Sequence, residues 1–391
     1  DLKILLETLD DVHPDLNRTI PYDFYLEQKK HLQEYFTEPT SYLEFLTQIA
    51  ILFTRIGDIG LQWGHSKEYI DWRNENVKFF PFQLNHEAGK VYLVDGEEEV
   101  EVLQINDQPI DKYIQINYDL LPVDGRMRVI QKEWLCRYFP NHHTNFWEQT
   151  DTYRIEVKLA DGKTETRIVN AVPKSELETK DPEYSDPLEF SIESNVGTLS
   201  LHSLNLKDFE SKEAFRAELD SIFQIVKQKN LRKMIVETAG VSNGSLHLSN
   251  ILLSYFMTEE YSFLENLVER APDELKHKEH IVYSTPYSEI EFISLLAKQD
   301  VNPLAFEGTV ELNCDGWNYG AMGLFCAHMN KKENTFLKGD GCGAARWGMN
   351  GYPEVLKLPN TGIVIIIPRL QFQIELQAYF YHNELIPQKV E

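Results

Sequence analysis

The sequence is poor in positive charge. Its 391 residues carry 38 Lys and Arg against 62 Asp and Glu, a formal net charge of −24. A chain so acidic repels phosphate backbones unless it concentrates a basic stripe. The densest basic runs, Gln28-Lys29-Lys30 and Asn330-Lys331-Lys332, are short and flanked by Glu. Nucleic acid is therefore excluded as an expected partner, and an anionic membrane surface is disfavoured on the same ground. Long hydrophobic runs are also lacking. The longest aliphatic run, Ile363 to Ile367, falls far short of the roughly 20 residues a spanning helix needs. Cysteine is scarce. Cys136, Cys314, Cys326 and Cys342 form no C-x-x-C pair and are too sparse for a disulfide scaffold, so buried free thiols are expected. Position 1 is Asp rather than Met, so removal of an initiator or an export signal is expected, which leaves the compartment open.

What is present is ordinary globular material. Apolar residues make up 42% of the sequence, too many for a disordered protein. At roughly 150 residues per domain, the length suggests two or three domains. Leu2, Leu5, Leu6, Leu9 and Val12 recur at helical spacing before His13-Pro14. Ser41-Tyr42-Leu43-Glu44 fits a capping box opening a second helix, whose face is Leu43, Leu46, Ile49, Ala50 and Phe53. From Phe79 to Val172 short alternating runs with Gly and Asp turns predict a β-rich module, as in Val100 to Ile105 and Tyr153 to Val157. The polar, proline-punctuated stretch Pro173 to Pro187 is the linker candidate. Beyond it an α/β pattern follows. Strands are predicted at Val196 to Leu201, Met234 to Glu237, Val310 to Asn313 and Ile363 to Ile367. The helices between them carry Phe215 to Val226, Leu246 to Phe256 and Ala321 to Met329. Such alternation predicts a largely parallel, covered sheet.

In open α/β sheets, sites gather where strands end and helices begin. Two such junctions are glycine-rich: Ala239-Gly240-Val241-Ser242-Asn243-Gly244-Ser245 and Asp315-Gly316-Trp317-Asn318-Tyr319-Gly320-Ala321. Either can present backbone N–H groups to an anion or oxyanion, or be a plain tight turn. A phosphate loop is a weak reading of the first, because no Lys follows Gly244. The second has the backbone pattern of a nucleophile elbow, yet its apex, Gly320, carries no hydroxyl or thiol. No metal site is expected. His277 and His280 sit i, i+3 on a polar, exposed helix without H-E-x-x-H spacing, and His142-His143 fall in a loop, where adjacent histidines point apart. Acidic pairs single out no glycosidase dyad. Cys314 and Cys342 lie near the glycine-rich turns but need a base to act as thiolates.

Taken in order, several segments resemble the tail-specific (C-terminal-processing) serine peptidases, a family that includes the tricorn-like peptidases. "LKILLETLDDVHPDL" and "EPTSYLEFLTQIAILFTRIGD" look like the N-terminal helical region leading to an I-G-D-G-H-T motif. "VEVLQINDQPIDKYI" is similar to a strand and turn of a PDZ-like module. "NVGTLSLHSL" resembles the strand opening the peptidase core, "LRKMIVETAGVSNGS" sits where members carry D-L-R-x-N-x-G-G, and "LPNTGIVIIIPRLQF" looks like the late strand.

The resemblance implies an α/β fold in three parts. They are a helical region over 1–72, a degenerate PDZ-like module over 73–175, and a peptidase core with a mostly parallel sheet over 176–391. It also exposes departures at the catalytic positions. Aligning "WNYGAM" puts Gly320 at the nucleophile. "RIGDIGLQWGHSKEY" puts Gly60 at the histidine base without gaps, or His65 with a five-residue insertion. "KGDGCGAARWG" puts Asp340 at the partner, with no Lys available there; Lys338 precedes the motif. The oxyanion loop has lost an Arg and a Gly, to Ala239 and Asn243. Ser242 and Ser245 are the only nearby hydroxyls and lie on the wrong segment. Acyl transfer needs a nucleophile and a base within hydrogen-bond reach, and glycine supplies neither. The expectation is an exported, cofactor-free protein with a dead catalytic cleft that binds a peptide or an unfolded segment. Backbone N–H groups of Gly240, Val241 and Ala321 would remain as a cradle, and Trp317, Tyr319 and Trp347 are candidates for lining a pocket, with core packing the alternative for each. The competing expectation is an active serine endopeptidase cutting near the C-termini of its substrates.

Overall fold

Alternating apolar residues set the central sheet. Leu199 and Leu201, Met234 and Val236, and Val310 and Leu312 are all buried on one face, as a period of two requires of a strand with one face on a core. In the computed structural model, strands Val196–Leu201, Lys233–Glu237, Thr309–Cys314 and Thr335–Gly339 pair in parallel, in that spatial order. Leu188–Glu193 adds an antiparallel edge strand. Helices Lys212–Gln228, Leu246–Ser254 and Gly320–Asn330 supply Phe215, Phe223, Leu252 and Phe325 to the same core. Burying each such side chain stabilises the fold by about 1.5–3 kcal/mol. The structure describes all residues except 88, 96, 97, 126, 148, 178–183, 271–273, 376–383 and 386–391. Most of the linker candidate's acidic centre therefore lies outside the described residues, while Lys174–Glu176 forms a single 3₁₀ turn.

The mixed α/β fold is the one expected, with two local corrections. The run Ile363 to Ile367 is not part of the parallel sheet. Val364–Ile367 pairs antiparallel between Gln62–Gly64 and Glu354–Lys357. Its buried Ile363, Ile365 and Ile367 pack against Leu5, Leu9, Leu46, Ile49 and Phe53 of the N-terminal helices. Those helices are Leu2–Val12, Tyr22–Tyr35 and Tyr42–Ile56. Ser41 caps the third by accepting from the Glu44 N–H. The Glu44 carboxylate completes only half of the expected box, because it accepts from Tyr35 and Thr40 instead.

The second correction lies in the β-rich stretch. Five antiparallel strands, Gln83–Glu87, Lys90–Asp95, Glu98–Ile105, Thr152–Lys158 and Thr164–Asn170, form the body of its six-stranded sheet, and the two-residue Gln108–Pro109 adds to Glu98–Ile105. Between the third and fourth strands run three short helices, Ile110–Asn117, Arg128–Arg137 and Phe139–Phe146. His142 and His143 are thus helical rather than in a loop. Their aromatic-rich helix carries no regular apolar stripe in sequence, and Pro140 sits in its first turn, where a missing N–H is tolerated. No helix among the described residues is long and apolar enough to cross a membrane. All four cysteines are buried and unpaired.

Candidate functional site

The two glycine-rich junctions lie side by side because their strands, Lys233–Glu237 and Thr309–Cys314, are parallel neighbours. Asn318, fully buried, ties the junctions together. Its amide donates to the Thr238 carbonyl at 2.6 Å and the Val241 carbonyl at 2.9 Å. Its Oδ1 accepts from the Asp315 N–H at 2.9 Å and the Thr238 hydroxyl at 3.1 Å. Three of these four bonds hold one loop against the other, and the fourth closes the Asn318 loop on itself.

Gly320 opens the helix Gly320–Asn330 at φ +63°, the left-handed apex of an elbow. Across that apex passes Asn243, itself at φ +54°. The Asn243 N–H donates to the Tyr319 carbonyl at 2.9 Å, and its own carbonyl accepts from the Met322 N–H at 3.1 Å. One of the orphan donors of the helix N-terminus is therefore already satisfied. A Cβ built on Gly320 would lie 2.4 Å from Asn243 Oδ1 and 2.9 Å from its Cα. At the position that the sequence resemblance pairs with a serine, this chain has space for a hydrogen only.

Two of the three N–H groups expected to form the oxyanion cradle, those of Gly240 and Val241, are engaged from within. The Gly240 N–H donates to Asp315 Oδ2 at 2.7 Å, and the Trp317 N–H donates to Asp315 Oδ1 at 3.0 Å. The Val241 N–H donates to the Thr238 carbonyl at 3.0 Å. An internal carboxylate thus occupies donors that an oxyanion would need. Burial raises the Asp315 pKa, with those two N–H groups pulling the other way. Ser242 is engaged by the Tyr319 hydroxyl, and Ser245 caps the helix Leu246–Ser254.

The remaining sequence candidates scatter. Gly60 follows a buried polar knot in which Asp58 accepts from the Gly60 N–H, from His13 Nε2 and from Asn350 Nδ2, each at 2.7 Å. The neighbouring carboxyl, Asp124, accepts from the Ile59 N–H at 3.0 Å, and burial beside Asp58 raises its pKa well above the usual range. His65, the alternative base, is packed against the stacked rings of Tyr42 and Tyr69. Burial lowers its pKa to about 4, leaving it neutral at physiological pH. Asp340 is exposed on the turn after Thr335–Gly339. Trp347 is a core residue, 7% exposed, with the Arg18 guanidinium 3.8 Å over its ring. His277 and His280 do not share a helix face. His277 adopts the left-handed region at φ +56° and pairs with Glu7 at 2.7 Å. Among the described residues no cluster of His, Cys, Asp and Glu is arranged to hold a metal.

What the structure does bring together is a cavity of about 350 Å³ beside the elbow. Trp317 and Tyr319 line it as expected. The opposite walls come from Gln62 and Trp63, just past Gly60, and from Trp134, Tyr138 and His142 of the inserted helices. Edge-to-face pairs fix the rings, Trp134 on Tyr319 at 6.0 Å and Tyr138 on Trp317 at 6.3 Å. Burial lowers the pKa of His142 to about 4. Glu133, next to Trp134, accepts from the Trp317 side chain, and its pKa is raised to about 7 by burial and by the charges of Asp315 and Asp340. Glu133 and the helical wall were missed in the sequence. They lie about 180 residues from Gly320, on helices whose periodicity is too weak to announce a face.

No protein-family model matches the sequence, and no curated protein matches it. Solved structures do. A point mutant of CPAF superposes with a TM-score of 0.68 at 12% identity, over 99% of this chain and 91% of that one. Mature CPAF complexed with lactacystin gives 0.64 at 13% identity, over 99% and 92%. A photosystem II D1 C-terminal processing protease aligns over 99% of this chain and 92% of that one, with a TM-score of 0.46 and 8% identity. The chain has a CPAF-like mixed α/β fold.

Proposed function

We propose that this protein is a non-catalytic member of the peptidase fold that binds an extended peptide or unfolded protein segment. The observation that carries the reading is the pairing of Asn243 with Gly320. The nucleophile position has no room for a Cβ, and the chain itself occupies the helix N-terminus above it. Asp315 on the Gly240 N–H points the same way, since a resident carboxylate competes with any developing oxyanion. The aromatic cavity beside the elbow offers apolar contact for a side chain, and strand edges nearby can supply main-chain hydrogen bonds. The net charge of −24 favours a peptide over a nucleic acid. Export, and a PDZ-like role for the antiparallel module, follow from the family resemblance.

The test is a fluorophosphonate probe read by intact mass, run beside a peptide-library binding screen. The expected result is no adduct together with saturable peptide binding. Stoichiometric labelling of any serine overturns the non-catalytic reading, and failure to bind any library member overturns the peptide-binding one.

A further inference from the structure

The cavity between the elbow and the inserted helices has an unusual chemical balance. Trp63, Trp134, Tyr138, Trp317 and Tyr319 present ring surface to it, and among the described residues no lysine, arginine or carboxylate lines it. Two carboxyl groups touch Trp317, Glu133 accepting from its side chain and Asp315 from its backbone N–H. Glu133 is held by the Trp317 side chain, and the charges of Asp315 and Asp340 act on it. The helix bearing Glu133 lies so close to the elbow loop that a Cβ on Gly316 would come within 2.9 Å of Glu133 Cγ and of the Ile130 backbone. Electron-rich ring faces backed by acidic groups attract a cation from both layers. The protein already uses one of these rings in that way, with the Arg137 guanidinium 4.7 Å from the Trp317 centroid. Arg137 acts on Glu133 in the opposite sense to Asp315 and Asp340.

Resting on the peptide-binding reading, we propose that this cavity selects a cationic side chain, arginine or lysine, of the bound peptide. The ring faces take the charged head, and the rest of the apolar wall takes the aliphatic stem. A volume of about 350 Å³ accommodates one long side chain rather than a folded element. Charge complementarity decides against an acidic residue, which would bring a third carboxylate near Glu133 and Asp315, the two that touch Trp317.

The experiment uses the full-length protein and fluorescent hexapeptides of one scaffold, chosen from the library screen, with a single position varied among arginine, lysine, norleucine and glutamate. Anisotropy titrations are run at 0.05 M and 0.5 M salt. General attraction to so acidic a protein fades at the higher salt, whereas a preference set inside the cavity persists. The expected result at 0.5 M salt is at least tenfold tighter binding of arginine and lysine than of norleucine, with glutamate weakest. Glu133→Gln keeps an acceptor for the Trp317 indole and should reduce the arginine-to-norleucine ratio to threefold or less, without weakening norleucine binding. Trp317→Leu should reduce the same ratio. Equal binding of all four peptides, or a preference that Glu133→Gln leaves unchanged, overturns the cation selection while peptide binding stands. Absence of binding by every peptide overturns the peptide-binding reading and this inference with it.

Discussion

Placing a serine at the elbow should damage the protein before it helps it. In Gly320→Ser the new Cβ would lie 2.4 Å from Asn243 Oδ1, 3.0 Å from its Cγ and 2.9 Å from its Cα. The side-chain atoms can swing aside, but the Cα is fixed by backbone bonds to Tyr319 and Met322. Residue 320 also sits at φ +63°, where any residue other than glycine costs about 1–2 kcal/mol. Overpacking a buried position adds about 1–3 kcal/mol. Gly320→Ser is therefore expected to lose about 2–5 kcal/mol, read as a lower urea midpoint in tryptophan fluorescence. Asn243→Gly removes the Oδ1 and Cγ contacts and suits φ +54° at that site. The double variant should recover part of the loss, with a coupling of about 1–2 kcal/mol in a double-mutant cycle. A Gly320→Ser variant as stable as the parent, or a cycle with no coupling, would refute the claim that Asn243 closes the nucleophile position.

Two further outcomes test the surrounding architecture. Asn318→Ala takes the partner of the Val241 carbonyl and of the Asp315 N–H and leaves the Thr238 carbonyl with the Val241 N–H alone, so it should cost about 2–4 kcal/mol in chemical denaturation; a loss below about 0.5 kcal/mol would mean that the two loops do not depend on this clamp. Glu133 has a folded pKa raised to about 7 from an ordinary 4.5, so its contribution is fully present below about 4.5 and is lost as pH rises through about 7. Glu133→Gln removes that loss, so its stability relative to the parent should grow between pH 5 and 8, by at most about 3 kcal/mol. Parallel stability curves for the two proteins across that range would contradict a buried, proton-holding Glu133.

The fold was legible wherever local periodicity and burial agree. Leu199 and Leu201, or Met234 and Val236, alternate in sequence and in the core alike. Ser41 announces its helix because capping is a contact over three residues. Ile363, Ile365 and Ile367 misled because an apolar run identifies a strand and not its sheet. Only the N-terminal helices, some 300 residues away in sequence, show where those side chains are buried. The same limit hid the cavity. Trp317 and Tyr319 stood beside a suspicious glycine and were visible, whereas Trp63, Trp134 and His142 belong to segments with no shared motif. Trp347 met the same test of proximity in sequence and lies in the core under Arg18.

The departures at the elbow show the difference between reading identities and reading their coupling. Gly320 and Asn243 are two unrelated changes when read along the sequence, one missing hydroxyl and one missing glycine. In space they are a single steric arrangement. An asparagine at 243 projects into the volume that a side chain at 320 would need, and its carbonyl takes a helix N–H. Asp315 extends the arrangement by holding the Gly240 N–H from below. On the non-catalytic reading proposed above, each element lowers the cost of the others: with no nucleophile there is no oxyanion to displace Asp315, and with no side chain at 320 there is nothing to displace Asn243. A site closed by mutual packing in this way is stable as a closed site, so reversing any one residue strains the structure without opening the cleft. What remains open beside it is the aromatic cavity, and that is where binding has to be sought.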